Sequence, residues 1–126
     1  MRNTFKKEER LTNKKVFEQL FNSGKGFVLS PFRFLWIESK FNSSFPVQLG
    51  ISVPKKSFPK AVDRNKLKRR IRESYRKNKH VLYEILKKKN LSLALMIIYT
   101  IKDELAYADI EKKMVLSLQN MASIIQ

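Results

Sequence analysis

Cysteine is absent from the 126 residues, which excludes a disulfide framework, a thiolate nucleophile and a cysteine metal site. Histidine occurs once, at His80, so no site that needs two histidines is available. The sequence contains two adjacent acidic pairs, Glu8-Glu9 and Asp103-Glu104, but no evident carboxylate cluster suited to binding a metal ion. We therefore predict that the chain contributes no catalytic residue and no metal ligand.

Long hydrophobic runs are also lacking. The longest nearly unbroken apolar run, residues 93–101, is about half of the ~20 residues that a membrane-spanning helix needs. The first ten residues are charged and lack the apolar segment of a signal peptide. We expect a cytoplasmic protein without a membrane partner. Because 43% of the residues are apolar, one core and a single domain over residues 1–126 are expected.

Acidic residues are scarce relative to basic ones. The chain has 27 Lys and Arg against 11 Asp and Glu, a formal net charge of +16. Such a surface repels itself, and a polyanionic partner would relieve that repulsion. Nucleic acid is the first candidate and an anionic membrane surface is the second. Residues 55–79 hold 12 of the 27 basic residues and only two acids, Asp63 and Glu73.

The apolar pattern predicts alternating helices and strands. A first helix begins near residues 11–12, with Thr12 or Asn13 as N-cap, and ends at residues 22–24. Strands are predicted at residues 26–29, 32–40, 46–53 and 91–101. A long helix covers residues 61–89, with a candidate break near residues 78–80, and a final helix covers residues 106–122. In the third strand one alternation is small and polar (Gln48, Gly50 and Ser52), which suggests the floor of a groove.

The long central helix combines two surfaces. At 100° per residue, Leu67, Ile71 and Tyr75 share a stripe that faces the core. Beside this stripe lies a row of basic residues with one asparagine, which we call the ridge. The ridge is about 21 Å long, a length that suits several consecutive phosphates. Like charges three or four residues apart repel until anions occupy them, so nucleic-acid binding is favoured over a merely solvated face. The ridge consists of Asn65, Lys68, Arg69, Arg72, Arg76 and Lys79.

Residues 55–76 resemble the signature of the bacterial ribonuclease P protein family. They begin with Lys55-Lys56, continue through a short loop and an alanine, and then read Arg-Asn-Lys-x-Lys-Arg-x-x-Arg-Glu from Arg64. Looser likeness covers nearly the whole chain, including Arg10-Leu11 before the first helix. The resemblance implies an α+β fold, a two-layer α/β sandwich with a mixed four-stranded sheet and three helices in the order αβββαβα. That fold is ribosomal-protein-like and has a left-handed βαβ crossover.

The resemblance also implies a function. Family members are protein subunits that bind a catalytic RNA and the 5′ leader of precursor tRNA, and they assist endonucleolytic removal of that leader. The implied partners are ribonuclease P RNA and precursor tRNA, with one protein per RNA and with Mg²⁺ acting through the RNA. Ridge and resemblance together predict binding of the ribozyme RNA by Lys55, Lys56, Arg64, Asn65, Lys66, Lys68, Arg69, Arg72 and Arg76. The leader-binding cleft is assigned to Phe17, Phe21, Phe34 and Trp36, with core packing as the alternative for these aromatic residues.

Two departures from the family pattern concern the RNA-binding segment. Lys66 stands where arginine is usual, and the loop at residues 57–60 lacks the Gly-Asn of many members and is one residue longer. Three other functions remain open at this point. They are a structural rRNA-binding protein of ribosomal type without a role in cleavage, a membrane-surface protein, and an autonomous nuclease.

Overall fold

Four helices and four strands make up the part of the chain that the computed structural model describes, namely residues 9–11, 14–40 and 45–126. Their ends lie within three residues of the predicted ends, and several coincide with them. The N-cap candidates Thr12 and Asn13 lie outside the described residues. The elements are α1 Lys14–Ser23, β1 Lys25–Leu29, β2 Phe32–Glu38, β3 Val47–Ser52, α2 Ala61–Asn78, α3 His80–Lys89, β4 Leu93–Tyr99 and α4 Tyr107–Ile125.

The strands form one mixed sheet in the order β1-β2-β4-β3. The pairs β1–β2 and β2–β4 are antiparallel, whereas β3 and β4 are parallel. Because parallel neighbours cannot be joined by a tight turn, α2 and α3 form the crossover between them. The predicted α+β fold with a mixed four-stranded sheet is confirmed, and the left-handed sense of the crossover stays a prediction.

Each face of the sheet carries its own apolar core. The larger core joins Phe32, Phe34 and Trp36 of β2 to buried residues of α2, α3 and α4. The smaller core lies on the opposite face, where Leu20 of α1 packs with Leu35 and other alternate strand residues. The alternation of side chains along β2 therefore separates the two cores, and of the four described helices α1 alone contributes to the smaller one.

The predicted long helix is two helices, which makes four helices instead of three. The chain leaves regular helix at Lys79, between α2 and α3. The Asn78 side-chain amide donates a hydrogen bond to the Ser74 carbonyl at 2.8 Å, next to this break. The Lys79 side chain is drawn into the interior, where it is 3% exposed and pairs with Glu9. The Lys79 ammonium at the junction thus pairs with a carboxylate 70 residues away in the sequence. Helical periodicity alone does not predict this pair.

Candidate nucleic-acid interface

The exposed side of α2 retains four members of the predicted ridge. Asn65 and Arg69 are exposed, and Lys68 and Arg72 are half-buried. Within the described residues none of the four forms an ion pair with a carboxylate. The adjoining stripe is fully buried, as predicted, at Leu67, Ile71 and Tyr75. We call Asn65, Lys68, Arg69 and Arg72 the cationic face.

Arg76 differs from these four residues because it pairs with a carboxylate of the same helix, and its assignment to RNA binding stays a prediction. Its guanidinium forms a two-pronged pair with Glu73, through Nε at 3.0 Å and Nη2 at 2.6 Å. The pair raises the pKa of Arg76 and lowers that of Glu73. The charge of Arg76 is compensated within the chain, so a phosphate would have to compete with a carboxylate. The spacing of three residues could have revealed this pair, because such neighbours meet on a helix.

Lys79 is also removed from the ridge. Its Nζ lies 2.6 Å from Oε2 of Glu9, which is fully buried. The Tyr83 hydroxyl donates to the same Glu9 oxygen at 2.6 Å, and the Tyr75 hydroxyl donates to that of Tyr83 at 3.0 Å. The ammonium also lies over the Tyr83 ring, 5.0 Å from its centroid. This network holds the segment that precedes α1 against the α2–α3 junction.

The segment held by Glu9 brings Arg10 to the cationic face. Arg10 forms an isolated parallel bridge with Leu49 at the outer edge of β3. Bridge partners share a face of the sheet, so exposed Arg10 lies on the side of α2. Burial lowers the pKa of Arg72, and the nearby charge of Arg10 lowers it further. Sequence patterns did not point to Arg10 as an RNA-binding residue, because the proximity of these two cations is long-range.

Arg64 anchors the loop that precedes α2. Its Nη1 donates to the carbonyls of Phe58 at 2.9 Å and Pro59 at 2.8 Å. Phe58 is 7% exposed and packs against Tyr99, with 5.9 Å between ring centroids. These contacts tie the loop to α2 and β4, and Arg64 has a structural role alongside its predicted RNA contact. The remaining predicted RNA-binding cations, Lys55, Lys56 and Lys66, are exposed.

The four aromatic residues assigned to a cleft divide between the two faces of the sheet. Phe17 is half-buried and Phe21 is 58% exposed, both on α1. The assignment of Phe34 and Trp36 is wrong, because they are 0% and 5% exposed in the larger core. They occupy alternate positions of β2 together with Phe32, so all three side chains face α2, α3 and α4 and point away from α1.

Gly50 lies directly beneath the Phe17 ring. A Cβ at Gly50 would lie 3.2 Å from Phe17 Cε1 and 3.0 Å from Met96 Cε, so the absent side chain lets the aromatic ring approach β3 closely. Gln48, Gly50 and Ser52 share this face, as the strand pairing with alternate residues of β4 shows. These three residues therefore lie on the face that packs against α1, and the groove itself stays a prediction.

The family model for ribonuclease P matches residues 5–122. The chain belongs to the ribonuclease P protein family. Membership in this family gives the chain the role of a protein component of ribonuclease P, and a structural rRNA-binding role is not favoured. The function suggested by the resemblance of residues 55–76 is confirmed at this level.

Relatives within the ribonuclease P protein family cover most of the chain. The ribonuclease P protein component of Porphyromonas gingivalis is 36% identical over 120 residues, which are 92% of this chain and 85% of that protein. The component from Legionella pneumophila is 42% identical over 72 residues, 57% of this chain and 60% of that protein. Likeness to the first relative thus extends well beyond the basic segment of α2.

Solved structures of ribonuclease P proteins share the fold. The protein from Thermotoga maritima matches with a TM-score of 0.68 at 28% identity, covering 88% of this chain and 96% of that one. The protein from Staphylococcus aureus matches with a TM-score of 0.67 at 25% identity, covering 94% and 98%. Among the described residues of the present chain, no helix is long and apolar enough to cross a membrane.

Proposed function

We propose that this chain binds the RNA subunit of ribonuclease P through the cationic face and guides the 5′ leader of precursor tRNA along the groove beside α1. One protein per RNA, acting in the cytoplasm, is part of the proposal. The observation that carries it is the outward position of Asn65, Lys68, Arg69 and Arg72, none of which pairs with a carboxylate of the described chain. Their compact arrangement on one rigid helix suits an RNA backbone.

The free energy of RNA docking would come mainly from phosphate neutralisation. Each phosphate that meets a cation of the face releases condensed counterions, so affinity depends steeply on salt. Arginine adds geometric selectivity, because its planar guanidinium can donate two parallel hydrogen bonds to phosphate oxygens. Lys66 keeps the positive charge at a position where the family usually has arginine, without that two-pronged geometry. Arg10 enlarges the positive surface beside Arg72.

The groove beside α1 would receive unpaired bases of the leader. Stacking of a base on an aromatic side chain contributes about 1–3 kcal/mol and tolerates any sequence. Phe21 offers an exposed ring, and Phe17 offers the edge of a ring that rests on Gly50. Tolerance of sequence is appropriate for leaders, which differ from one precursor to another. The groove would thus add affinity for precursor over mature tRNA.

Cleavage itself is assigned to the RNA subunit and to Mg²⁺ bound by that RNA. Across residues 9–11, 14–40 and 45–126, no group of three or more histidine and acidic residues is placed to hold a metal ion. The protein's part is to raise affinity for the precursor and to lower the Mg²⁺ concentration that the RNA requires.

Reconstitution tests this function. Added to a bacterial ribonuclease P RNA at low Mg²⁺, the protein should increase the rate of leader removal from precursor tRNA. Omission of the RNA should abolish cleavage, because the protein is not expected to be catalytic alone. No increase in rate would reject the proposal, and cleavage that persists without RNA would favour an autonomous nuclease.

Substitution Phe17→Ala tests the leader groove. Loss of one stacking surface should weaken holoenzyme binding to a long-leader precursor by about 1–3 kcal/mol and spare mature tRNA. The measurement is the equilibrium affinity of reconstituted holoenzyme for each RNA. Equal losses for both RNAs would point to a folding defect and would contradict the assignment.

A further inference from the structure

The sheet face that carries α1 is only partly covered. Cross-strand pairing aligns Val28, Arg33, Ile98 and Ser52 in one row across all four strands. We call these four residues the open row. The neighbouring row on the same face contains Leu35, Met96 and Gly50.

The two rows differ sharply in exposure. Leu35 and Met96 are 6% and 4% exposed and belong to the core beneath α1. In the open row Val28 is 68% exposed, Arg33 is exposed, and Ile98 and Ser52 are half-buried. The packing of α1 on this face therefore ends between the two rows, and the open row is accessible to solvent.

Arg33 is the cation of the open row. In the described ranges its guanidinium forms no hydrogen bond or ion pair, and its cross-strand neighbours Val28 and Ile98 are apolar. No side chain of the open row carries a negative charge that would compete for the guanidinium. A planar donor beside apolar side chains suits a ligand that combines anionic groups with flat, apolar surfaces.

The open row lies next to the part of the sheet that Phe17 covers. Gly50, which supports the Phe17 ring, precedes Ser52 by two residues on β3. Ser52 and Arg33 are separated by the width of β4 alone. With about 3.3 Å per residue along a strand and about 4.8 Å between strands, the backbone of Arg33 lies roughly 12 Å from that of Gly50. A single RNA strand that stacks on Phe17 can reach Arg33 without leaving this face.

We propose that Arg33 binds a backbone phosphate of the precursor leader, so that the leader runs from Phe17 across the open row. The inference rests on the proposed function and adds a specific phosphate contact to it. Val28 and Ile98 would pack against sugar or base, and the Ser52 hydroxyl supplies a further hydrogen-bonding group. Single-stranded RNA is favoured because its phosphates and unstacked bases match this mixture of cation and apolar surface.

The test is the affinity of reconstituted holoenzyme for precursor tRNAs with leaders of graded length. Arg33→Ala should weaken binding of long-leader precursors about five- to tenfold, the effect expected for a solvent-accessible, charge-assisted hydrogen bond. The log-log salt slope for these precursors should fall by about 0.7, the single-strand value for one phosphate. Short-leader precursors and mature tRNA should bind as before. Arg33→Lys should restore part of the loss.

Lys88→Ala serves as the matched control, because it removes the same formal charge from an exposed position on α3. It should leave leader-length dependence unchanged. Unchanged affinity for Arg33→Ala would overturn the inference. Losses that are equal at every leader length would overturn it too, since they would place Arg33 against the RNA subunit or the tRNA body.

Failure of this inference is distinguishable from failure of the proposed function. If the wild-type holoenzyme binds long-leader precursor no better than mature tRNA, the leader groove itself is refuted. If leader-length dependence is present and Phe17→Ala removes it while Arg33→Ala does not, only the assignment of Arg33 fails.

Discussion

The basic residues predicted to form one ridge have different environments, because acidic residues lie next to some of them and not next to others. Arg69 is exposed on the cationic face, Arg76 is paired with Glu73, and Lys79 is buried against Glu9. The first position is available to an external anion. The second has its charge compensated, and the third stabilises the fold. A count of basic residues therefore overstates the interface, and the partner of each cation decides its role.

Substitution Lys79→Met should destabilise the fold strongly. It leaves the buried Glu9 carboxylate without its ammonium, and removal of one member of a buried pair costs about 3–5 kcal/mol. Urea unfolding measures the change in free energy of unfolding. Lys88→Met, at an exposed position on α3, should change it by less than about 0.5 kcal/mol.

The double variant Glu9→Leu with Lys79→Met is the second control for this pair. Replacement of both charges by apolar side chains should recover most of the missing stability, because no unpaired charge stays buried. A decrease of under about 1 kcal/mol for Lys79→Met alone would contradict the structural role of the pair.

At the scale of elements, the end of α3 depends on one left-handed residue. Asn90 has φ 55° and ψ 42°, and its backbone N–H bonds to carbonyls of the last helical turn. The Leu91 N–H donates to the Leu86 carbonyl at 2.9 Å. This arrangement satisfies helix-end carbonyls and directs the chain into β4. Asparagine tolerates the left-handed region better than most residues with a Cβ.

Substitutions at Asn90 test this helix end. Asn90→Ala should lower the free energy of unfolding by about 1 kcal/mol, because alanine resists a positive φ. Asn90→Gly is the matched control and should equal or exceed the wild type, since glycine has no Cβ. Urea unfolding of the three proteins makes the comparison. Equal stability of the alanine and glycine variants would contradict the account.

Elements were predictable from the sequence where periodicity is strong. The buried stripe of α2, the four strands and the polar alternation of β3 follow from local pattern alone. Local pattern did not show which face of β2 packs against α2, α3 and α4, because both sets of alternate residues in β2 are largely apolar. The assignment of Phe34 and Trp36 to the cleft is wrong for that reason. The pairing of Glu9 with Lys79 could not be predicted, since it joins residues 70 positions apart.

At the scale of the whole molecule, the four tyrosines make stability depend on pH at the alkaline end. Burial raises the pKa of Tyr75, Tyr83 and Tyr99 above the ordinary value of 10.0. Burial and then a hydrogen bond to Glu111 raise the pKa of Tyr107 to about 12. Each raised pKa means that folding favours the protonated phenol.

The free energy of unfolding should therefore decrease as pH rises above 10.0, the ordinary pKa of tyrosine. The tyrosine contribution is fully present below the unfolded-state pKa and disappears as pH passes toward each raised value. Denaturant unfolding from about pH 8 to about pH 12 measures this decrease. Tyr107→Phe should show a shallower decrease than the wild type, because one of the titrating groups is gone. An identical pH dependence in both proteins would contradict the shift assigned to Tyr107.

Docking of RNA on the cationic face is the central claim, and the salt dependence of binding to ribonuclease P RNA tests it most directly. Arg69→Ala should weaken binding and reduce the log-log salt slope by about 0.7–0.9 for each phosphate that the variant no longer neutralises. Lys88→Ala, which removes the same charge from α3, should leave the slope unchanged. If Arg69→Ala also leaves the slope unchanged, or if both variants reduce it equally, the RNA does not dock on α2 and the account is contradicted.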